Sequence, residues 1–111
     1  DVFFYPLRPD HYGTCEQALG EAMAAGVVPV TLDNDAEKQI INHGKNGFRA
    51  IETTYVDRVA SLYLDPENRE WMAGCAKLRA IELSSIGTMI DRWNVVFADM
   101  MKEPKRERGV L

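Results

Sequence analysis

The residues able to do chemistry crowd into one stretch, Asp10-His11-Tyr12-Gly13-Thr14-Cys15-Glu16-Gln17, with Glu21 four residues further on. A carboxylate accepts from two vicinal hydroxyls at once, the reason acidic residues recur at riboses. Glu16 would repel an anion bound at the same helix end, so a hydroxyl contact suits it better. The amides of Gly13 and Thr14, at a helix start, suit an anion. His11 has no Ser-His-Asp or metal-ligand spacing around it and is read as a loop contact to substrate; no zinc spacing exists anywhere in the chain. Each of these residues also has a structural reading. The macrodipole favours Glu16 in a first turn whatever its function, the cap itself can use the Gly13 and Thr14 amides, and Glu21 can be a solvated helix residue.

The element that must position these groups is a helix over about Thr14 to Ala25. Thr14 to Gln17 fits a capping box. Cys15, Ala18, Leu19, Ala22 and Ala25 make an apolar stripe at helical spacing, and Gly26 stops the helix. Before it, Val2-Phe3-Phe4-Tyr5 is apolar on both faces and reads as a strand covered on both sides of a parallel sheet. A chain opening on a central strand suggests part of a larger domain. After it, Val27 to Leu32 is a second strand, whose Pro29 belongs at the strand's start or on an unpaired side. A helix that opens beside the carboxyl end of a strand stands where open α/β sheets bind ligands.

Further along, Asn34 with Glu37 reads as a second capping box, opening a short helix that ends at His43-Gly44, with His43 favoured there by the dipole. Phe48 to Ile51 is a third strand. Thr53 or Thr54 caps a helix with the stripe Val56, Val59, Ala60 and Tyr63. Asp65-Pro66 starts another, carrying Trp71, Met72, Cys75, Leu78 and Leu83. Ser84 or Ser85 caps the last, where Ile86, Met89, Ile90, Trp93, Val96, Phe97 and Met100 form the cleanest amphipathic pattern. The two tryptophans and the methionines are read as core. Lys105 to Leu111 is a mixed-charge tail, expected to be disordered, whose Lys105, Arg106 and Arg108 could touch an anionic membrane. The order β-α-β-α-β-α-α-α implies a three-layer, Rossmann-like α/β fold: about three parallel strands with right-handed crossovers and a C-terminal helix pair.

The totals set bounds. At 111 residues there is one domain, over about residues 1–102, and a tail from 103 to 111. A net charge of -4 argues against nucleic acid as a partner. Cys15 and Cys75 read as reduced thiols on apolar helix faces, and no run approaches the ~20 residues of a membrane span or forms a signal peptide, so a cytoplasmic protein is expected.

On these residues the chain resembles the donor-binding second domain of retaining glycosyltransferases built from two Rossmann-like domains, the glycogen-synthase-like "group 1" enzymes. The matching pattern is Pro6, Asp10, Tyr12-Gly13, Glu21-Ala22-Met23, Gly26 and Val28-Pro29-Val30, followed by Ile40-Ile41-Asn42-His43-Gly44-Lys45-Asn46-Gly47-Phe48. The C-terminal helix pair with Trp93 also fits, so the likeness spans roughly residues 1 to 101 and is most specific in the first half. It implies sugar transfer from a nucleotide-sugar donor to a glycan, lipid or small-molecule acceptor, with retention and with neither metal nor cofactor. It also implies donor-ribose binding by Glu21, hexose contact by an earlier acidic residue, and diphosphate or sugar near the amides after Tyr12-Gly13.

The sequence departs from that pattern in places. The family's two glutamates stand eight apart, but eight before Glu21 is Gly13. A His-Tyr-Gly-Thr-x-Glu variant, matching His11 to Glu16, leaves the hexose contact among Asp10, the Gly13-Thr14 amides and Glu16. Gln39 replaces a glutamate. The basic pair that grips phosphate and the acceptor domain belong to segments before Asp1, so these residues alone are expected to be inactive. The alternatives are a non-catalytic α/β interaction module, or a sugar phosphorylase or epimerase of the same plan. The bare edge of the first strand predicts a homodimer, or pairing with a neighbour, through residues 2 to 5.

Overall fold

The computed structural model describes residues 1–8, 17–106 and 109. Eight elements follow in the expected order: β1 (Val2–Tyr5), α1 (Gln17–Ala24), β2 (Val28–Leu32), α2 (Asp35–Ile40), β3 (Phe48–Ala50), α3 (Tyr55–Leu64), α4 (Pro66–Ser84) and α5 (Ile86–Met101). The strands form one parallel sheet in the order β1-β2-β3, with Val2 opposite Val28 and Phe48 opposite Val30. The fold is thus mixed α/β, a three-strand parallel sheet flanked by helices, with α4 and α5 meeting at a bend.

β2 is the centre. Its run Val-Pro-Val-Thr-Leu is buried at all five positions, as an apolar strand covered on both faces should be. Val28 and Val30 pack on one face with Phe48, Leu62 and Met72. On the other, Leu19 and Met23 of α1 pack with Ile41, Ala76 and Ala80, joined by Phe3 and Tyr5. α4 therefore serves both layers, Met72 on one and Ala76 and Ala80 on the other. Pro29 sits where its missing donor costs least. Val28 N donates to Asp1 O on the β1 side, so alternation turns the Pro29 nitrogen towards β3, whose pairing begins only at Val30. Gly47 admits this proline, since a Cβ there would lie 2.7 Å from Pro29 Cγ and 2.8 Å from its carbonyl oxygen.

The helix ends follow sequence logic. Gly26, at φ +74°, closes α1 in a Schellman motif: Val27 N donates to Ala22 O and Gly26 N to Met23 O, each at 3.0 Å. Asp65 caps α4 by accepting from Asn68 N, with Pro66 in the first turn, and Ser85 caps α5 by accepting from Thr88 N. Arg79 reaches from α4 to the last carbonyls of α2, donating to Gln39 O and Ile40 O, which a helix end otherwise leaves unmet.

Several expectations are corrected. β1 is an edge strand that pairs with β2 alone among the described residues, and Phe4 is 59% exposed, so its apolar run is not covered on both sides. The inward stripe of α1 runs through Leu19 and Met23, while Ala18 and Ala25 face solvent; Cys15 lies outside the described residues. The Asn34-Glu37 capping box does not form: the Asn34 side chain makes no cap bond and is used elsewhere, and Glu37 is buried. α2 ends at Ile40, so His43 is not a helix residue but bridges to Gly47 beyond it. On α3 the inward line is Tyr55, Val59 and Leu62, whereas Val56 and Tyr63 are exposed. On α4 it is Met72, Ala76 and Ala80, leaving Trp71 and Leu78 outside. Trp93, Met89, Met100 and Met101 are exposed too, and only Met23 and Met72 are the core methionines expected.

Candidate functional site

Of the seven residues singled out for donor binding, Asp10, His11, Tyr12, Gly13, Thr14 and Glu16 lie outside the described residues. Glu21 is described. Burial of Leu19 and Met23 turns it outward on α1, where its Oε1 accepts from Gln17 Nε2 at 2.9 Å, an i, i+4 pair that holds the carboxylate towards the start of the helix. Because β1 and β2 are parallel, α1 must return from the carboxyl end of β1 to the amino end of β2. Its first turn therefore stands at the carboxyl edge of the sheet, and Glu21 stands one turn further along.

The same edge carries polar groups that the sequence reading passed over. β1 and β2 each end in a tight turn, Leu7 N donating to Tyr5 O at 3.0 Å and Asn34 N to Leu32 O at 2.9 Å. The Asn34 amide ties the two together, its Nδ2 donating to Leu7 O at 2.9 Å. Among the described residues the Asn34 side-chain oxygen is buried with no partner, as is the Thr31 hydroxyl oxygen three residues earlier. Buried acceptors in folded proteins almost always have donors, so these two are notable at a strand's carboxyl end. Asn34 was read only as a helix cap. The signal that could have found it is the polar run Asp33-Asn34-Asp35 directly after a buried strand.

Tyr55 closes this edge from the other layer. Its hydroxyl accepts from Tyr5 N at 3.0 Å and donates to Val30 O at 2.8 Å, so one phenol joins β1 to β2. Burial raises its pKa above the usual 10, which keeps the proton the bond to Val30 needs. Beside β3, Arg49 Nη1 pairs with Asp33 Oδ1 at 2.9 Å across the strand pair, and Arg49 N donates to His43 Nδ1 at 2.9 Å. His43 meets Phe48 edge-on, and the Arg58 guanidinium lies 5.1 Å above the same ring. Burial, then Arg58 and Arg49, lower the His43 pKa below 6.5. With Nδ1 accepting, the neutral ring carries its proton on Nε2.

Among the described residues, no group of three or more His, Cys, Asp or Glu side chains is placed to hold a metal ion, and no helix is long and apolar enough to cross a membrane. Cys75 is a free, half-buried thiol. Compared with models of known protein families and with curated protein sequences, the chain matches none of them at a significant level.

Proposed function

We propose that this chain is the donor-binding part of a retaining, metal-independent glycosyltransferase with a Rossmann-like sheet. In this reading a nucleotide-sugar sits beyond the carboxyl ends of β1 and β2. The observation that carries it is the pair of buried polar oxygens at that edge, Asn34 Oδ1 and Thr31 Oγ1, that no described residue meets, together with the exposed Glu21 carboxylate on α1. Sugar and ribose hydroxyls are the donors such acceptors lack, and an open parallel sheet binds ligands at this edge. Glu21 would grip the ribose diol, displacing Gln17. Asp10, His11, Tyr12, Gly13, Thr14 and Glu16 would meet the hexose and diphosphate. Transfer would need an acceptor domain to complete the cleft, so binding is the activity to test.

The test is titration of the chain with uridine, guanosine and adenosine diphosphates and their sugar conjugates, followed by amide NMR. Saturable shifts at residues 7–8, 17–24 and 31–34 are expected, with affinity falling about tenfold or more in Glu21→Gln, since the lost bonds involve a charged acceptor. No saturable binding by any of the three diphosphates rejects the reading. The alternative, a non-catalytic interaction module, is favoured by one observation: the large apolar side chains left exposed on β1 and on the C-terminal helices.

A further inference from the structure

We propose that α5 is a self-association surface, pairing antiparallel with α5 of a second copy of this chain about a two-fold axis at Trp93.

Helix α5 has 16 residues and none is buried. A lone helix of that length is marginal in water unless an apolar face is packed. Such a face exists: Ile86, Met89, Ile90, Trp93, Val96, Phe97 and Met100 are exposed by 43–73%. At about 100° per residue these seven fall within about 60° of the Trp93 direction, and Met89, Ile90, Trp93, Asn94 and Phe97 line a shallow groove along it. Together they leave roughly 700–900 Å² of apolar surface open, close to the ~800 Å² per partner of a standard interface and above the largest patch of an ordinary monomer.

The arrangement of the face favours a second copy. Its members stand 3, 4 and 7 residues to either side of Trp93. An antiparallel two-fold therefore sets Trp93 against Trp93, Met89 and Ile90 against Phe97 and Val96, and Ile86 against Met100. A two-fold contact must be self-complementary in this way. Trp93 and Phe97, already stacked at 5.4 Å, would sit at the centre, where aromatic anchors carry most of the binding energy. A lipid surface fits less well. Helices that lie in a membrane interface are rich in Lys and Arg on the polar face, whereas here Asp91 and Asp99 offset Arg92 and Lys102, on a chain of net charge -4.

Sedimentation equilibrium of the full chain tests this, beside Trp93→Glu and Phe97→Glu. Both substitutions fall on exposed positions, so the sheet's thermal unfolding should be kept. A reversible wild-type dimer is expected, with its dissociation constant raised about 30-fold or more in either variant, the size of an interfacial hot spot. In a background with Cys15 and Cys75 replaced by Ser, Ile86→Cys should form a disulfide with Met100→Cys on mixing, but not with itself. A monomeric wild type, a dimer indifferent to both glutamates (as pairing through the β1 edge would be), Ile86→Cys linking to itself, or recruitment to anionic phosphatidylserine vesicles in place of dimerisation would each overturn the proposal.

Discussion

β2 and α5 are opposite solutions to the same problem. Both are rich in apolar side chains, yet β2 is buried at all five of its positions and α5 at none of its sixteen. The difference shows in the dimensions. A radius of gyration of 18.5 Å, with a long axis of 66 Å, belongs to a body from which α5 projects; a compact chain of this length would have about 13 Å. Apolar patterning thus marks a face suited to burial without recording whether this chain buries it. Two core layers close around β2 from within, and α5 carries an equally regular stripe that nothing described here meets.

The largest expected effect breaks this contrast directly. Met72 is fully buried against Val28, Val30, Phe48 and Leu62. Met72→Ala should cost about 2–5 kcal/mol by urea unfolding. Phe97→Ala removes a bigger side chain from an exposed site, and at dilutions where the chain is monomeric it should change stability by no more than ~0.5 kcal/mol. Equal costs for the two would mean that α5 packs on its own chain.

How much of this was legible follows from the same contrast. Element order, the caps at Asp65 and Ser85 and the stop at Gly26 are local, and they were read because a side chain bonding three residues on, or a glycine at positive φ, depends on little else. The faces of α3 and α4 are legible only in part: Val59 and Met72 point inward as expected, but the rest of each face is displaced, because which side of a helix is inward is set by where it crosses the sheet. Trp71 and Leu78 have the right spacing and the wrong direction, while Ala76 and Ala80 fill the tight contact with α1. Asn34 does stand at the cap position of α2, but its side chain makes no cap bond, because beside another strand's turn it has a competing partner, Leu7 O. Of the candidate site, Glu21 was legible as an outward residue by default from Leu19. The orphan acceptors were not, since they exist only through the closeness of two strand ends.

A smaller effect sharpens the comparison at the sheet's own edge. β1 is half-covered, and the Tyr55 hydroxyl supplies part of what holds it to β2. Tyr55→Phe keeps the ring's packing and removes both bonds, so a loss of about 1–2 kcal/mol is expected. Faster hydrogen exchange should be confined to Tyr5, Leu7 and their β2 partners. Unchanged exchange at the Tyr5 amide would show that the strands pair without the phenol.

The smallest expected effect is a pH dependence at the opposite edge strand. His43 resists charging in the fold because partial desolvation of its largely exposed ring and the cations Arg58 and Arg49 oppose the proton, with Asp33 only partly compensating. Its folded pKa therefore lies below the value of 6.5 it regains on unfolding. As pH falls through that value the unfolded chain takes up the proton first, so stability declines, and the decline ends once pH passes below the folded value. Protonation at Nδ1 would also end its acceptance from Arg49 N, which loosens the start of β3. His43 is solvent-exposed, so the change should be a small shift of the urea midpoint between pH ~8 and ~5. His43→Asn keeps an acceptor near Arg49 N and removes the titration. Its midpoint should lie on a flatter curve over that range, and a slope equal to the wild type's would assign the acid sensitivity to groups other than His43.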